Sequence, residues 1–297
     1  MPVRPTVVSA VLVLALLGVS LSGPLVRLST APPLAIAVWR LTFSLAIIAV
    51  PLLWTGAWRQ WQTLDRRSLA LAGMGGALLA LHFWSWNASV GLTTVAASVV
   101  LVNTQPLIVG LLSVYWLREP PTRQQWGGIL LAMLGALIVV WPDLTSGFSF
   151  GGRALAGDAL ALIGAVTAAT YYVIGRRLRA NLDLWAYVGL VYGVCLVTLL
   201  LLALALSVPL YPFDRRDFTI FAGLAIGPML LGHTGMNWAL KHARAYQVNI
   251  VLLGEPVGAT ILAAVLPGIR EIPTSYTLVG GLLILAGILV AERRQKG

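Results

Sequence analysis

The chain has 297 residues, 59% of them hydrophobic and 10% charged, with a mean hydropathy of +0.88 and a formal net charge of +10. A soluble globular domain carries about 25% charged and under about 50% apolar residues, so this composition excludes that class and indicates an integral membrane protein. An excess of Lys and Arg is also what nucleic acid attracts, and only the placement of those residues along the chain separates the two explanations.

A helix needs about 20 mostly apolar residues to cross the hydrocarbon and satisfies its own backbone while doing so. The apolar segments here run for 17 to 25 residues, too long for the strands of a barrel. Ten spans are predicted, at 6–22, 34–53, 68–88, 94–117, 124–141, 155–175, 184–208, 217–240, 244–266 and 275–291. The loops between them are too short for a separate soluble domain. The first span follows Arg4 and reads as a retained helix rather than a signal peptide, because nine more follow it.

With the N-terminus in the cytoplasm, the inward regions hold Arg4; Arg59, Arg66 and Arg67; Arg118 and Arg123; Arg176, Arg177 and Arg179; Lys241 and Arg244; and Arg293, Arg294 and Lys296. Outside lie Arg27, Arg153, Arg215, Arg216 and Arg270, while Arg40 falls within a span. This bias predicts both termini in the cytoplasm and accounts for the basic charge without nucleic acid. Cys195 is the only cysteine, so no internal disulfide is available.

The loop REPPT at 118–122 returns as REIPT at 270–274. Asn87 and Asn237 are 150 residues apart, as are Pro106 and Pro256, and Gly128 with Gly280 and Gly135 with Gly287 are each 152 apart. The chain therefore reads as two halves of five helices, residues 1–150 and 151–297. Five is odd, so the second half enters the membrane from the opposite side. Such an inverted repeat is the construction of many alternating-access transporters, with the substrate near mid-bilayer between the halves. In the first loop, Arg118 caps a helix C-terminus and Thr122 with Gln125 can form a capping box for helix five; these loops hold geometry.

Three stretches carry a family resemblance. GDALALIGAVTAATYYVIGRR (157–177) resembles the start of the second half, and VLVNTQPLIVGLLSVYWLRE (100–119) and VNIVLLGEPVGATILAAVLPGIRE (248–271) resemble the fourth and ninth helices, of the drug/metabolite transporter superfamily in its ten-helix EamA-type branch. The resemblance covers essentially the whole chain and is greatest to members that export aromatic amino acids. It implies an all-α membrane fold with a central cavity, in the bacterial inner membrane, exporting amino acids, drugs or metabolites. Where many members place a Trp in the sixth helix, this chain reads Ala168-Ala169-Thr170-Tyr171, which would reshape the cavity; Tyr171 is a candidate substrate contact.

Polar side chains at membrane depth are functional candidates by default. His82 and Trp86 stand one turn apart on one face of helix three, with Ser89 continuing the stripe. An imidazole that donates and accepts, beside an indole with one donor, suits a zwitterion carrying a side chain. The alternative for Trp84 and Trp86 is an aromatic belt. Asn103 and Gln105 precede Pro106, and Asn249 and Glu255 precede Pro256. They are either substrate contacts or hydrogen-bond partners for the backbone that proline disrupts. Glu255 is also the candidate proton carrier that would couple export to a gradient, and His82 is its rival.

Arg40 lies near the outer end of helix two and either snorkels outward or binds a carboxylate. His233 and Trp238 are placed toward the cytoplasmic side, lining an inner gate or packed. Glycines on helices five and ten mark close helix packing, within one chain or across a dimer. An intramembrane enzyme is the rival class, yet the spans hold no nucleophile motif and no second acid beside Glu255 for a metal site. The expectation is a transporter, not an enzyme, using no cofactor, metal or nucleic acid, whose partners are a small-molecule substrate and the lipid bilayer.

Overall fold

The computed structural model describes residues 4–93, 95–146, 153–265 and 274–292. Among them there is no strand. The helices are α1 (Pro5–Ser20), α2 (Ser22–Leu28), α3 (Pro33–Trp54), α4 (Arg66–Leu92), α5 (Val95–Val102), α6 (Gln105–Leu112), α7 (Arg123–Ser146), α8 (Arg153–Leu178), α9 (Leu184–Ala205), α10 (Arg215–Leu224), α11 (Gly235–Ala239), α12 (Ala245–Leu252), α13 (Glu255–Val265) and α14 (Ser275–Glu292). Eight stretches of the described residues are long and apolar enough to cross a membrane. Helices α7 and α14, at the predicted fifth and tenth spans, pack on each other. The chain is a multi-pass membrane protein.

Local chemistry explains where these helices begin and break. Pro5 and Pro33 open α1 and α3, where a missing N–H costs nothing. The side chain of Asp65 accepts from the Ser68 N–H at 2.9 Å and caps α4. Ahead of α7 the predicted capping box is present: the Thr122 N–H donates to Gln125 Oε1 at 2.8 Å and the Gln125 N–H to Thr122 Oγ1 at 3.3 Å. Arg118 stands at the preceding helix end in the left-handed conformation, φ 56°. The matching residues 270–273 of the second loop lie outside the described residues, as do Arg293, Arg294 and Lys296.

The predicted fourth and ninth spans are each interrupted just before their proline, between α5 and α6 and between α12 and α13. Pro106 and Pro256 cannot donate to the turn before them, which favours a break in the helix there. The predicted eighth span is wound differently: from Ala225 to Thr234 it is π-helical around Pro228. The wider turn rotates every residue after it relative to an α-helical register.

Packing follows an inside-out pattern for this solvent. Leu17, Val50, Leu53, Leu130, Leu201 and Leu282 face outward, each more than half exposed, where lipid surrounds them. Polar side chains such as Ser44, Ser85, Asn103, Asn237 and Asn249 are interior. Helix α4 packs on α8 and α9, α1 on the π-wound segment, α3 on α9, and α6 on α12. A Cβ on Gly128 would lie 2.5 Å from the Gly287 carbonyl oxygen, and one on Gly135 would lie 2.6 Å from that of Gly280. As the number rises on α7 it falls on α14, so the two run antiparallel, and their glycine contact is made within one chain.

Candidate functional site

A cavity lies where α1 to α6, α8, α12, α13 and the π-wound segment meet. Its walls include Arg40, His82, Phe83, Trp86, Gln105, Tyr172, His233 and Glu255. About 430 Å³ is unfilled by atoms, of which about 30 Å³ admits the centre of a water. That is a constricted site, holding about two waters before any wall moves.

Six of the residues singled out from the sequence line it: Arg40, His82, Trp86, Gln105, His233 and Glu255. His82 Nδ1 is 3.0 Å from the Gly164 carbonyl oxygen, which makes Nδ1 the protonated nitrogen of the neutral ring and leaves Nε2 as an acceptor. Trp86 Nε1 and Gln105 Oε1 are buried without a partner. Asn103 stands beside the cavity, where its Nδ2 donates to the Val99 carbonyl at 2.8 Å and to Glu255 Oε2 at 3.3 Å, bridging the two interrupted spans. Asn249 donates to the Ala245 carbonyl at 3.0 Å, one turn back on its own helix.

Two candidates sit elsewhere. Tyr171 is fully buried behind the cavity wall, where its hydroxyl accepts from Asn237 Nδ2; its neighbour Tyr172 supplies the wall instead. Ala168 and Ala169 are buried and not among the cavity walls. Trp238 belongs to a second, open cleft with Gln60, Arg179, Asp183, Trp185, Lys241 and His242. Between cleft and cavity stands a tyrosine cluster. Asn237 Nδ2 also reaches the Tyr192 hydroxyl at 3.2 Å, and Arg179 Nε donates to the Asn237 carbonyl at 2.9 Å. In the cleft, His242 packs tilted against Trp238, with ring centres 4.5 Å apart and ring planes at 48°. Burial, then the Arg179 and Lys241 charges, hold its pKa below the ordinary imidazole value.

Of the two placements the sequence left open for Arg40, the inward one is observed. Arg40 does not snorkel: its side chain is fully buried, with the guanidinium carbon 4.2 Å from the Phe83 ring centre. Nor does His233 lie apart toward one membrane face; its ring centre is 6.0 Å from that of His82, and Tyr172 stacks on it with ring planes 5° apart. Whether Arg40 points inward depends on the rotation of its helix about the axis, which hydropathy does not report. Intramembrane charge was the one available signal for Arg40, and it pointed inward.

The same end of the molecule as the cleft is tied by Arg176, whose Nη2 is 2.7 Å from Glu119 Oε1 and whose Nη1 donates to the Leu240 carbonyl at 2.8 Å. At the other end, Asp217 accepts from Ser29 Oγ at 2.6 Å and from the Thr30 hydroxyl at 2.8 Å. Each tie joins spans from different parts of the chain around the cavity.

The sequence matches the EamA-like transporter family twice, over residues 6–141 and 155–292. The chain belongs to the EamA-like transporter family. It is 27% identical over 274 residues to an uncharacterized transporter of Archaeoglobus fulgidus, covering 89% of this chain and 90% of that one. Similarity extends to the pseudopaline exporter CntI of Pseudomonas aeruginosa, at 28% over 238 residues, covering 79% of this chain and 78% of that one. A crystal structure shares the fold with a TM-score of 0.78 at 21% identity, covering 97% of both chains. As an EamA-like transporter, the chain is a membrane transporter.

Proposed function

We propose that this transporter exports small metabolites, foremost amino acids with neutral and aromatic side chains, across the bacterial inner membrane by alternating access. The observation that carries the reading is the buried cavity walled by His82, Trp86, Gln105, Arg40 and Glu255. Hydrogen-bonding and charged groups at membrane depth are costly unless a solute uses them, and an aromatic wall beside them suits an amphipathic one.

The ten spans form two inverted five-helix halves on this reading, with both termini cytoplasmic. Support comes from the double family match and from α7 and α14. The repeat equates Gly128 with Gly280 and Gly135 with Gly287, and exchanging the members of each pair converts the Gly128–Gly287 contact into the Gly280–Gly135 contact. Contacts of α1 with the π-wound segment and of α4 with α8 exchange in the same way. The ties at the two ends would then open in turn.

Kinship with a pseudopaline exporter supports a second reading, export of a different metabolite through the same cavity. Counterflow in vesicles with amino acids, sugar phosphates and cationic drugs separates them. Exchange of neutral amino acids supports the first; exchange of the other solutes alone overturns it.

A further inference from the structure

Resting on the transport reading, we propose that Arg40 is the carboxylate receptor of the cavity and Glu255 its ammonium counterpart, so that the solute is a zwitterion with an apolar or aromatic side chain.

Arg40 is fully buried on α3, and its guanidinium forms no ion pair among the described residues. Its Nη2 reaches only the Met229 sulfur at 4.0 Å, a weak acceptor, while Nε and Nη1 have no partner. A permanently charged fork left without an acceptor in a membrane interior is expensive, and its planar donors match a carboxylate. Phe83 steadies one face of the guanidinium at 4.2 Å and offers no acceptor oxygen.

The same wall holds one fixed positive and one acidic side chain, Arg40 and Glu255. Glu255 is held on one side by Asn103. A zwitterion keeps this pair in balance, whereas a simple cation or anion leaves one member uncompensated. Both histidines, His82 and His233, and the Tyr172 hydroxyl line the same space, so the remaining polar wall is hydrogen-bonding rather than permanently charged. Phe83, Trp86, Val102 and Leu252 supply apolar surface for the side chain.

The test is thermal protection of the purified full chain in lipid nanodiscs by four related probes. These are L-phenylalanine, L-phenylalaninamide, which lacks the carboxylate, 3-phenylpropionate, which lacks the ammonium, and phenethylamine. L-Phenylalanine is expected to protect, and the two probes without a carboxylate to need about tenfold higher concentration or more, the worth of one charged hydrogen-bonded contact. Arg40→Met should abolish the preference for the carboxylate, and Glu255→Gln should weaken L-phenylalanine while sparing 3-phenylpropionate. Should Arg40→Met fail to fold, the double variant Arg40→Met with Glu255→Gln removes both charges together, and the four probes on the unaltered chain already decide the matter. Equal protection by the amide and the amino acid overturns the assignment, as does protection by none. In the latter case, counterflow of another neutral amino acid leaves the export reading standing, so the two failures are distinguishable.

Discussion

Gly128 and Gly287 face each other so closely that a Cβ on either would lie 2.5 to 2.6 Å from the other's carbonyl oxygen. No flexible side chain can yield there, because the obstructing atoms are backbone and the Cβ atoms of Ala291 and Ala132. Gly128→Leu is expected to force α7 and α14 apart and destabilise the protein by about 3 kcal/mol, the upper end of overpacking costs. Gly127, one residue away, has nothing within 4 Å of its Cβ position, so Gly127→Ala should be neutral or slightly stabilising. Thermal denaturation of the two purified variants checks the contrast.

Cys195 supplies the assay. It is the only cysteine and is fully buried on α9. A thiol-reactive dye should leave the folded protein unlabelled and report a single unfolding transition on heating. Rapid labelling at room temperature would contradict the packing of α9 against α3 and α4.

His82→Ala should lower counterflow by about tenfold or more, the order of one lost polar contact to the solute. Folding should survive, because the Gly164 carbonyl that His82 engages also accepts from the Thr167 hydroxyl at 3.1 Å. Unchanged transport would remove His82 from the site.

If Glu255 carries a coupling proton, Glu255→Gln should abolish the response of export to a pH gradient while exchange at equal pH persists at higher solute concentration. Glutamine keeps the shape and can still accept from Asn103. Gradient-driven transport that survives the change rejects the carrier role.

The Arg176–Glu119 pair is only about one quarter exposed on each side chain, yet one partner also holds a backbone carbonyl. A double-mutant cycle with Arg176→Met and Glu119→Gln should give a coupling of about 0.2 to 1 kcal/mol. Arg176→Met should cost more than Glu119→Gln, since it also strands the Leu240 carbonyl. Equal costs would show that the Leu240 bond contributes nothing.

Much of this architecture is written locally. Span length, the prolines that interrupt the α5–α6 and α12–α13 pairs, and the Thr122–Gln125 capping box each depend on residues within a turn or a single helix, so reading along the chain suffices. The echo of Gly128 and Gly135 in Gly280 and Gly287 also marked the α7–α14 contact, although it did not say whether one chain or two would make it.

By itself, then, the sequence determined that the chain lives in a membrane, which stretches are helical, and that Glu255, His82 and Arg40 would be costly to bury without purpose. Tertiary structure alone decided that these three meet at one cavity with His233, that Tyr172 rather than Tyr171 forms its wall, and that Trp238 belongs to a separate cleft. The reason is that hydropathy specifies the solvent of a helix but not its rotation. Which face turns inward is chosen by packing between segments distant in the chain, and for His233 by a π-wound stretch that shifts every residue after Pro228.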